Sequence, residues 1–587
     1  LYNLYTGMET VLMEDWDDDW NTILVPYDEI VHHIPDGGIL ETRTNEGAFY
    51  TFRAQTQYSN TLFEKHDIDI LGGFEFRETR EKSYNNLYMG YDEQTQMHST
   101  GMVNWSDIRD AFGSSSILGT DYTMMGAPDW ENGYRPSDVL HRFYSLYITG
   151  NYVYDNRYAL SGSWRIDKTD LFGADPKFRG RPLWSAGASW NAHNEAFLRD
   201  ITWLNALKPR ISYGLTGNID SSVSSFMTAS IGINWNNGDK NAWLDTPPNE
   251  QLRWEKTSTW NAGIDFALLN YRLSGSLDYY HKNGTDLLTL TDLDVTTGWD
   301  QLTINNGEMV NHGIELQLNG RIVEPRGRNS LGVRASLNFA YNKNKVTKVN
   351  HQSPDGYTEL LPTTLHEGYP IHSLFSYEFA GLERNGNNTT YTWRDRNGEV
   401  HNSNLYSSDF TPDQAIFSGT LDPKYVASFM PEITYGGFSL SAMMSYYGGH
   451  KMRADTDRWD SNGDWNGYPG YALSSDLDFW RNGESSEIAP NGYLGGSSIN
   501  GTYQYAHCNV VAADYMKIRN IVLAYTFPTS LTRRAGINEL RLRVQMNNVA
   551  TWARNSLGLD PEAVNPITGE NGYKTPRSYT FSLYLNL

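Results

Sequence analysis

Tyr579-Thr580-Phe581-Ser582-Leu583-Tyr584-Leu585-Asn586-Leu587 closes the chain with a strict period of two. Successive side chains of an extended strand point to opposite faces. Tyr579, Phe581, Leu583, Leu585 and Leu587 therefore share one face, which suits lipid, while Thr580, Ser582, Tyr584 and Asn586 share the other, which suits water. The alternation recurs from Leu331 to Asn342, where Leu331, Val333, Ala335, Leu337, Phe339 and Tyr341 oppose Gly332, Arg334, Ser336, Asn338, Ala340 and Asn342. Leu540, Leu542, Val544 and Met546 likewise oppose Arg541, Arg543, Gln545 and Asn547. An arginine facing lipid at mid-membrane costs about 2–4 kcal/mol, which puts Arg334, Arg541 and Arg543 on a polar interior face. The fold expected is all-β, a transmembrane antiparallel β-barrel.

Working outward from these segments, about fifteen strands are expected, near 50–58, 66–78, 144–154, 158–167, 182–191, 207–214, 257–266, 271–280, 311–320, 331–342, 425–435, 438–447, 514–527, 540–550 and 578–587. One segment breaks phase: Met516 and Ile518 are apolar, then Ile521, Leu523, Tyr525 and Phe527, which predicts a β-bulge near Arg519-Asn520. Connections alternate in length. Asp155 to Arg157, Ala267 to Asn270, Arg321 to Ser330 and Gly436-Gly437 are short, whereas 1–49, 79–143, 215–256, 343–424 and 448–513 read as long loops. Outer-membrane barrels pair short periplasmic turns with long external loops, so a periplasmic C-terminus places every long loop outside. Single-chain bacterial barrels have even strand numbers, and a sheet edge in hydrocarbon leaves backbone groups unpaired. A chain that begins outside and ends in the periplasm is thus expected to lack an odd number of strands.

Composition agrees with this reading. The chain of 587 residues carries 39 Tyr, 18 Trp and 52 Gly, and its mean hydropathy is −0.57, so it is polar on average yet rich in interfacial rings. No stretch approaches the roughly 20 apolar residues of a membrane-spanning helix. A net charge of −22 argues against a nucleic-acid partner, because phosphate neutralisation needs clustered Lys and Arg. Cys508 is the single cysteine, so neither an intrachain disulfide nor a cysteine-pair metal site is available. The sequence opens at Leu1 without Met or a signal segment, which reads as a fragment or processing boundary.

Several segments resemble one family, the SusC/RagA-like TonB-dependent transporters of Bacteroidetes outer membranes. They are Arg157-Tyr158-Ala159-Leu160 running to Arg165-Ile166-Asp167 and Phe172-Gly173, then Trp203-Leu204-Asn205-Ala206-Leu207-Lys208 and Ser212-Tyr213-Gly214-Leu215-Thr216-Gly217-Asn218. Leu252-Arg253-Trp254-Glu255-Lys256-Thr257 and Leu277-Asp278-Tyr279-Tyr280 follow. Asp514-Tyr515-Met516-Lys517-Ile518-Arg519-Asn520 precedes Ala524-Tyr525-Thr526-Phe527-Pro528, Asn547-Asn548-Val549 precedes Asp560-Pro561-Glu562, and Pro576-Arg577-Ser578-Tyr579-Thr580-Phe581 opens the final strand. Each piece is common alone; their order and spacing from about Thr51 to the C-terminus carry the resemblance. It implies a barrel of about 22 strands, of which about fifteen would lie here, an N-terminal plug and a TonB-contacting box that this sequence does not contain, a SusD-like surface lipoprotein partner, and a pairing of two such complexes.

No HExxH, P-loop or GxSxG spacing is present, so no enzyme, catalytic residue, cofactor or metal centre is expected. Asp15, Asp17, Asp18 and Asp19 have oxygen ligands that suit Ca²⁺, although a solvated acidic loop is the simpler reading. Asp395, Asn397 and Glu399 around Gly398 faintly match a calcium loop but fit a turn better. His366 and His372 suit no standard zinc spacing. Trp459, Trp465, Tyr468, Tyr471 and Trp480 lie among Asp and Asn in one long loop and are the candidate substrate-binding residues, able to stack on sugar rings or grip peptide side chains. Packing within the loop or against a partner explains them equally well, as it does Trp16, Trp20, Trp235 and Trp243. The function expected is TonB-energised import of oligosaccharides or oligopeptides across the outer membrane. The alternatives are a passive porin or surface adhesin on the same barrel, and a secreted glycan-binding or glycan-degrading all-β protein.

Overall fold

The structure is a computed structural model, and it describes residues 9–11, 30–32, 38–98, 135–171, 180–220, 223–233, 240–350, 356–385, 388–402, 405, 409–454, 505–569 and 572–586. One antiparallel sheet of 15 strands dominates, each strand pairing with its neighbour in the chain. We number these strands β1 (Gly38–Leu62), β2 (His66–Tyr91), β3 (Arg135–Tyr154), β4 (Tyr158–Thr169), β5 (Gly180–Trp190), β6 (Leu204–Asn218), β7 (Glu255–Leu268) and β8 (Leu273–Asp292). Next come β9 (Gln301–Val323), β10 (Gly332–Lys348), β11 (Tyr425–Tyr435), β12 (Phe438–Gly448), β13 (Tyr515–Thr526), β14 (Glu539–Ala553) and β15 (Ser578–Asn586). Every expected strand corresponds to one of them, and the sheet has the antiparallel, neighbour-to-neighbour order of a barrel wall. Among the described residues no helix is long and apolar enough to cross a membrane.

The strands run well past the expected ends on the long-loop side. Residues 38–49, 79–91 and 135–143, read as loop, are strand, and β8 and β9 extend through 281–292 and 301–310. The reason is visible on β2 and β3. Ile68, Ile70, Phe74 and Phe76 share a face with Leu146 and Tyr144 across the ladder, but the next pair on that face is Glu78 with Arg142, joined at 2.7 Å. The alternation that identifies a strand in lipid stops there, while backbone pairing continues into water. From His66 to Phe76 is about ten steps of ~3.4 Å, which at a tilt of roughly 40° spans about 25 Å, the thickness of an apolar barrel band. Aromatic rings meet across the ladder, Tyr213 lying edge-on to Trp184 at 5.5 Å and tilted against Trp260 at 4.7 Å.

The turns at the opposite end are tight. Asp155 and Asn156 of the three-residue connection 155–157 both take positive φ (51° and 53°), as do Gly436 and Gly437 of a two-residue one (60° and 92°), which is the geometry that lets so short a connection follow the twist of paired strands. The expected bulge is present: Asn520 pairs with Met443 and Ile518 with Met444, leaving Arg519 as the extra residue.

Candidate functional site

The polar face of the sheet is built as a lattice. Arg210 of β6 sits opposite Gly263 of β7. Its guanidinium passes over that glycine to Asp278 of β8, to which it donates at 2.6 Å, and reaches Asp265 at 3.2 Å. A Cβ on Gly263 would meet Asp278 Oδ1 at 2.5 Å and the Arg210 guanidinium carbon at 2.8 Å, so only glycine permits the crossing. Tyr280 repeats the device, lying over Gly313 and donating to Asn342 Oδ1 at 2.9 Å. Long side chains thus lie flat along the wall, and shallow cavities open between them. One, of about 370 Å³, is lined by Asn151, Ser161, Gly187, Arg210 and Asn261; another, of about 460 Å³, by Asp278, Glu315, Gln317, Asn338 and Arg519.

At the long-loop end the resembling segments meet in space. Tyr515 donates to Glu562 at 2.8 Å and Arg519 at 2.9 Å, and Lys517, almost fully buried, forms an ion pair with the same carboxylate. Burial favours the neutral acid, yet Arg519, Lys517 and Tyr515 together hold Glu562 below the usual carboxylate range. The bulge aims Arg519 at this carboxylate, so the last loop is clamped to the wall by the residues of β13. Asp286 forms a second clamp. It adopts a left-handed φ of 56° at a bulge of β8 and accepts from Arg181 at 2.8 Å and from Arg253, which lies in the chain between buried Leu252 and Trp254, at 2.7 Å.

The long loop 343–424 is not irregular. Ser373–Ser376 pairs with Ile416–Thr420, and Glu378–Asn385, Asn388–Arg394 and Val400–His401 form a three-stranded sheet. Leu360, Phe375, Tyr377, Phe379, Trp393, Leu405 and Phe410 close a core with Tyr505 and Ala506, which come from the loop between β12 and β13. Fully buried Arg453 spans the two loops: it donates to the Phe375 carbonyl at 2.8 Å and lies 4.8 Å from the Tyr505 ring centre. Burial lowers its pKa to about 10, which leaves it cationic at neutral pH. The period-two run Phe375, Tyr377, Phe379 was the available signal for this subdomain.

The candidate residues fare differently. Trp459, Trp465, Tyr468, Tyr471 and Trp480 lie outside the described residues, as do Asp15, Asp17, Asp18, Asp19, Trp16, Trp20 and Trp235. Trp243 is half exposed on the hairpin formed by Thr228–Ile233 and Lys240–Thr246. His366 pairs with Glu359 at 2.8 Å and stacks on Phe375 at 3.7 Å, whereas His372 contacts Asp422 at 2.9 Å, so the two histidines serve separate local contacts. Asp395 accepts the backbone N–H groups of Asn397 at 2.9 Å and Glu399 at 2.8 Å, the hydrogen bonds of a turn. Burial opposes its ionisation, but those amides and the adjacent His401 ring keep it below the ordinary range. The structure adds His401 to that group: one ligand atom each of Asp395, Glu399 and His401 lie within 4.8 Å of one another.

At the short-turn end Glu195 ties two connections together. It accepts from Tyr158 at 2.6 Å, Trp190 at 3.2 Å and Arg157 at 3.0 Å. The Tyr158 hydroxyl, then the Trp190 indole, and finally Arg157 acting against burial, hold its carboxyl below the ordinary range. Sequence reading found Arg157 and Tyr158 but not their shared acceptor.

Comparison with known proteins follows this geometry. TonB-dependent receptor P39 of Formosa agariphila is 26% identical over 588 residues, which cover 90% of this chain and 52% of the relative. TonB-dependent receptor SusC of Bacteroides thetaiotaomicron is 27% identical over 463 residues, 74% of this chain and 43% of the relative. The chain spans about half the length of the curated relatives it matches. A solved structure of the RagAB peptide transporter superposes with a TM-score of 0.72 at 23% identity, covering 93% of this chain and 56% of that one, a likeness of fold. The sequence model of the TonB dependent receptor-like β-barrel family matches residues 10–446. This chain therefore belongs to the TonB dependent receptor-like β-barrel family.

Proposed function

We propose that the chain is the barrel portion of an outer-membrane importer of oligomeric nutrients, glycans or peptides, the SusC-like half of a complex with a SusD-like surface lipoprotein, energised through TonB. The family match over 10–446, three quarters of the chain, is the observation that carries it. The fold is consistent with it: a wall apolar outside and polar inside, with tight turns at one end, taken as periplasmic, and a folded subdomain at the other, taken as external. Trp459, Trp465, Tyr468, Tyr471 and Trp480 are proposed to help capture the substrate there. Energy from outside is needed because a site that captures tightly does not release unless another state binds less well, and that difference must be supplied.

Deleting the whole gene should abolish uptake of a fluorescently labelled oligomer, and so should loss of TonB with the gene intact. Affinity purification of the whole protein in mild detergent should recover a SusD-like lipoprotein. Uptake that persists without TonB would establish the passive porin reading instead.

A further inference from the structure

On three consecutive strands the apolar run of the outward face is interrupted by a basic side chain, with Val310 of β9 the apolar residue beyond it. Along β8, Leu277 and Tyr279 are followed on that face by His281; along β9, Leu316 and Ile314 by His312; along β10, Phe339 and Tyr341 by Lys343 and then Lys345. Register sets these residues side by side: His281 is opposite His312, His312 is opposite Lys343, and Lys345 is opposite Val310 one step further out. With strands about 4.8 Å apart, they form a compact patch just beyond the rim tyrosines Tyr279 and Tyr341.

Basic residues beyond the apolar stretch of β2 and β3 are neutralised within the protein, Arg142 by Glu78 at 2.7 Å and Arg80 by Asp138 at 2.5 Å. No side chain of the β8–β10 patch has an ion pair or hydrogen bond among the described residues. Glu308, the acid on that face of β9, pairs across the ladder with Lys348, beyond the patch, and forms no salt bridge with Lys343 or Lys345. In a chain of net charge −22, an unpaired basic cluster where lipid meets water calls for an anion supplied by the lipid.

We propose that this patch binds the phosphate of a phosphorylated glycolipid in the outer leaflet, Lys343 and Lys345 supplying charge and His281 and His312 ring N–H donors. The rim tyrosines border the lipid beneath. The inference rests on the outer-membrane reading above. A site for lipid, unlike one for free phosphate, must face outward at the rim of the apolar band, as this one does.

The test uses the complete protein purified from the outer membrane and placed in phosphatidylcholine nanodiscs containing either phosphorylated or enzymatically dephosphorylated lipid A, with retained lipid quantified by native mass spectrometry. The phosphorylated form should be retained preferentially. K343Q/K345Q should lower that preference about 25-fold, since each basic residue near an anionic surface contributes about fivefold, while the barrel keeps its heat-modifiable mobility on gels. Retention indifferent to phosphate or to the lysines, in a protein that still fractionates with the outer membrane, would overturn this proposal alone. Displacement by millimolar inorganic phosphate would overturn the lipid as the phosphate source, and fractionation away from the outer membrane would remove the reading beneath both.

Discussion

Replacing Trp393 by alanine should unfold the subdomain of loop 343–424 and leave the barrel intact. The ring is fully buried, stacks 4.4 Å from His401 and meets Phe410 edge-on at 5.0 Å. Burying a tryptophan covers about 150–250 Å², which at about 25 cal/mol per Å² is about 4–6 kcal/mol, and truncations of buried Phe or Trp cost about 3–5 kcal/mol. A unit of this size holds only about 4–10 kcal/mol in total, so W393A takes much or all of it. The barrel is spared because its strands are held by ladder hydrogen bonds and share no core residue with the cluster around Trp393. Hydrogen exchange on the complete protein in detergent should show protection lost across Ser373–Ser376 and Glu378–Asn385, with β5 to β9 unchanged and heat-modifiable mobility retained. Protection lost equally in both regions would refute the separation of the two folding units, and no loss in either would refute the core assignment.

Other consequences follow from the same geometry. E562Q should release the last long loop, because removing the acid leaves Lys517 buried without its counter-charge at a cost of about 3 kcal/mol; cleavage within 554–577 by a limiting protease reports it, and K517M/E562L should restore resistance. G263V should drive a side chain into the Arg210–Asp278 crossing and cost about 1–3 kcal/mol, seen as a lower midpoint of heat modification on gels, whereas Gly327, whose Cβ would meet nothing, should tolerate alanine. Glu195 has a folded pKa below its unfolded value of about 4.3, so its contribution is present above that value and fades as pH falls through the folded pKa. Amide protection at 191–203 should drop on acidification in the native protein and be lower but pH-independent in E195Q.

The barrel was legible in the sequence because lipid and water enforce alternation at every second residue. Tyr579 to Leu587 and Leu331 to Asn342 show this directly, and even the phase break at Arg519 could be read, since inserting one residue exchanges the two faces. Beyond the apolar band both faces meet water, so the outer reaches of β1, β2 and β3 had no pattern to betray them. The subdomain was missed for a related reason: its core joins Phe375 and Trp393 to Tyr505, more than a hundred positions away in the chain. The period of the side chains therefore determined the architecture and the polarity of each face. Only the tertiary structure decided that Glu562 closes on Lys517, that Arg210 crosses Gly263 to Asp278, and that His281, His312 and Lys343 stand in one row, because such contacts depend on register between strands, and a one-residue slip would dissolve each of them.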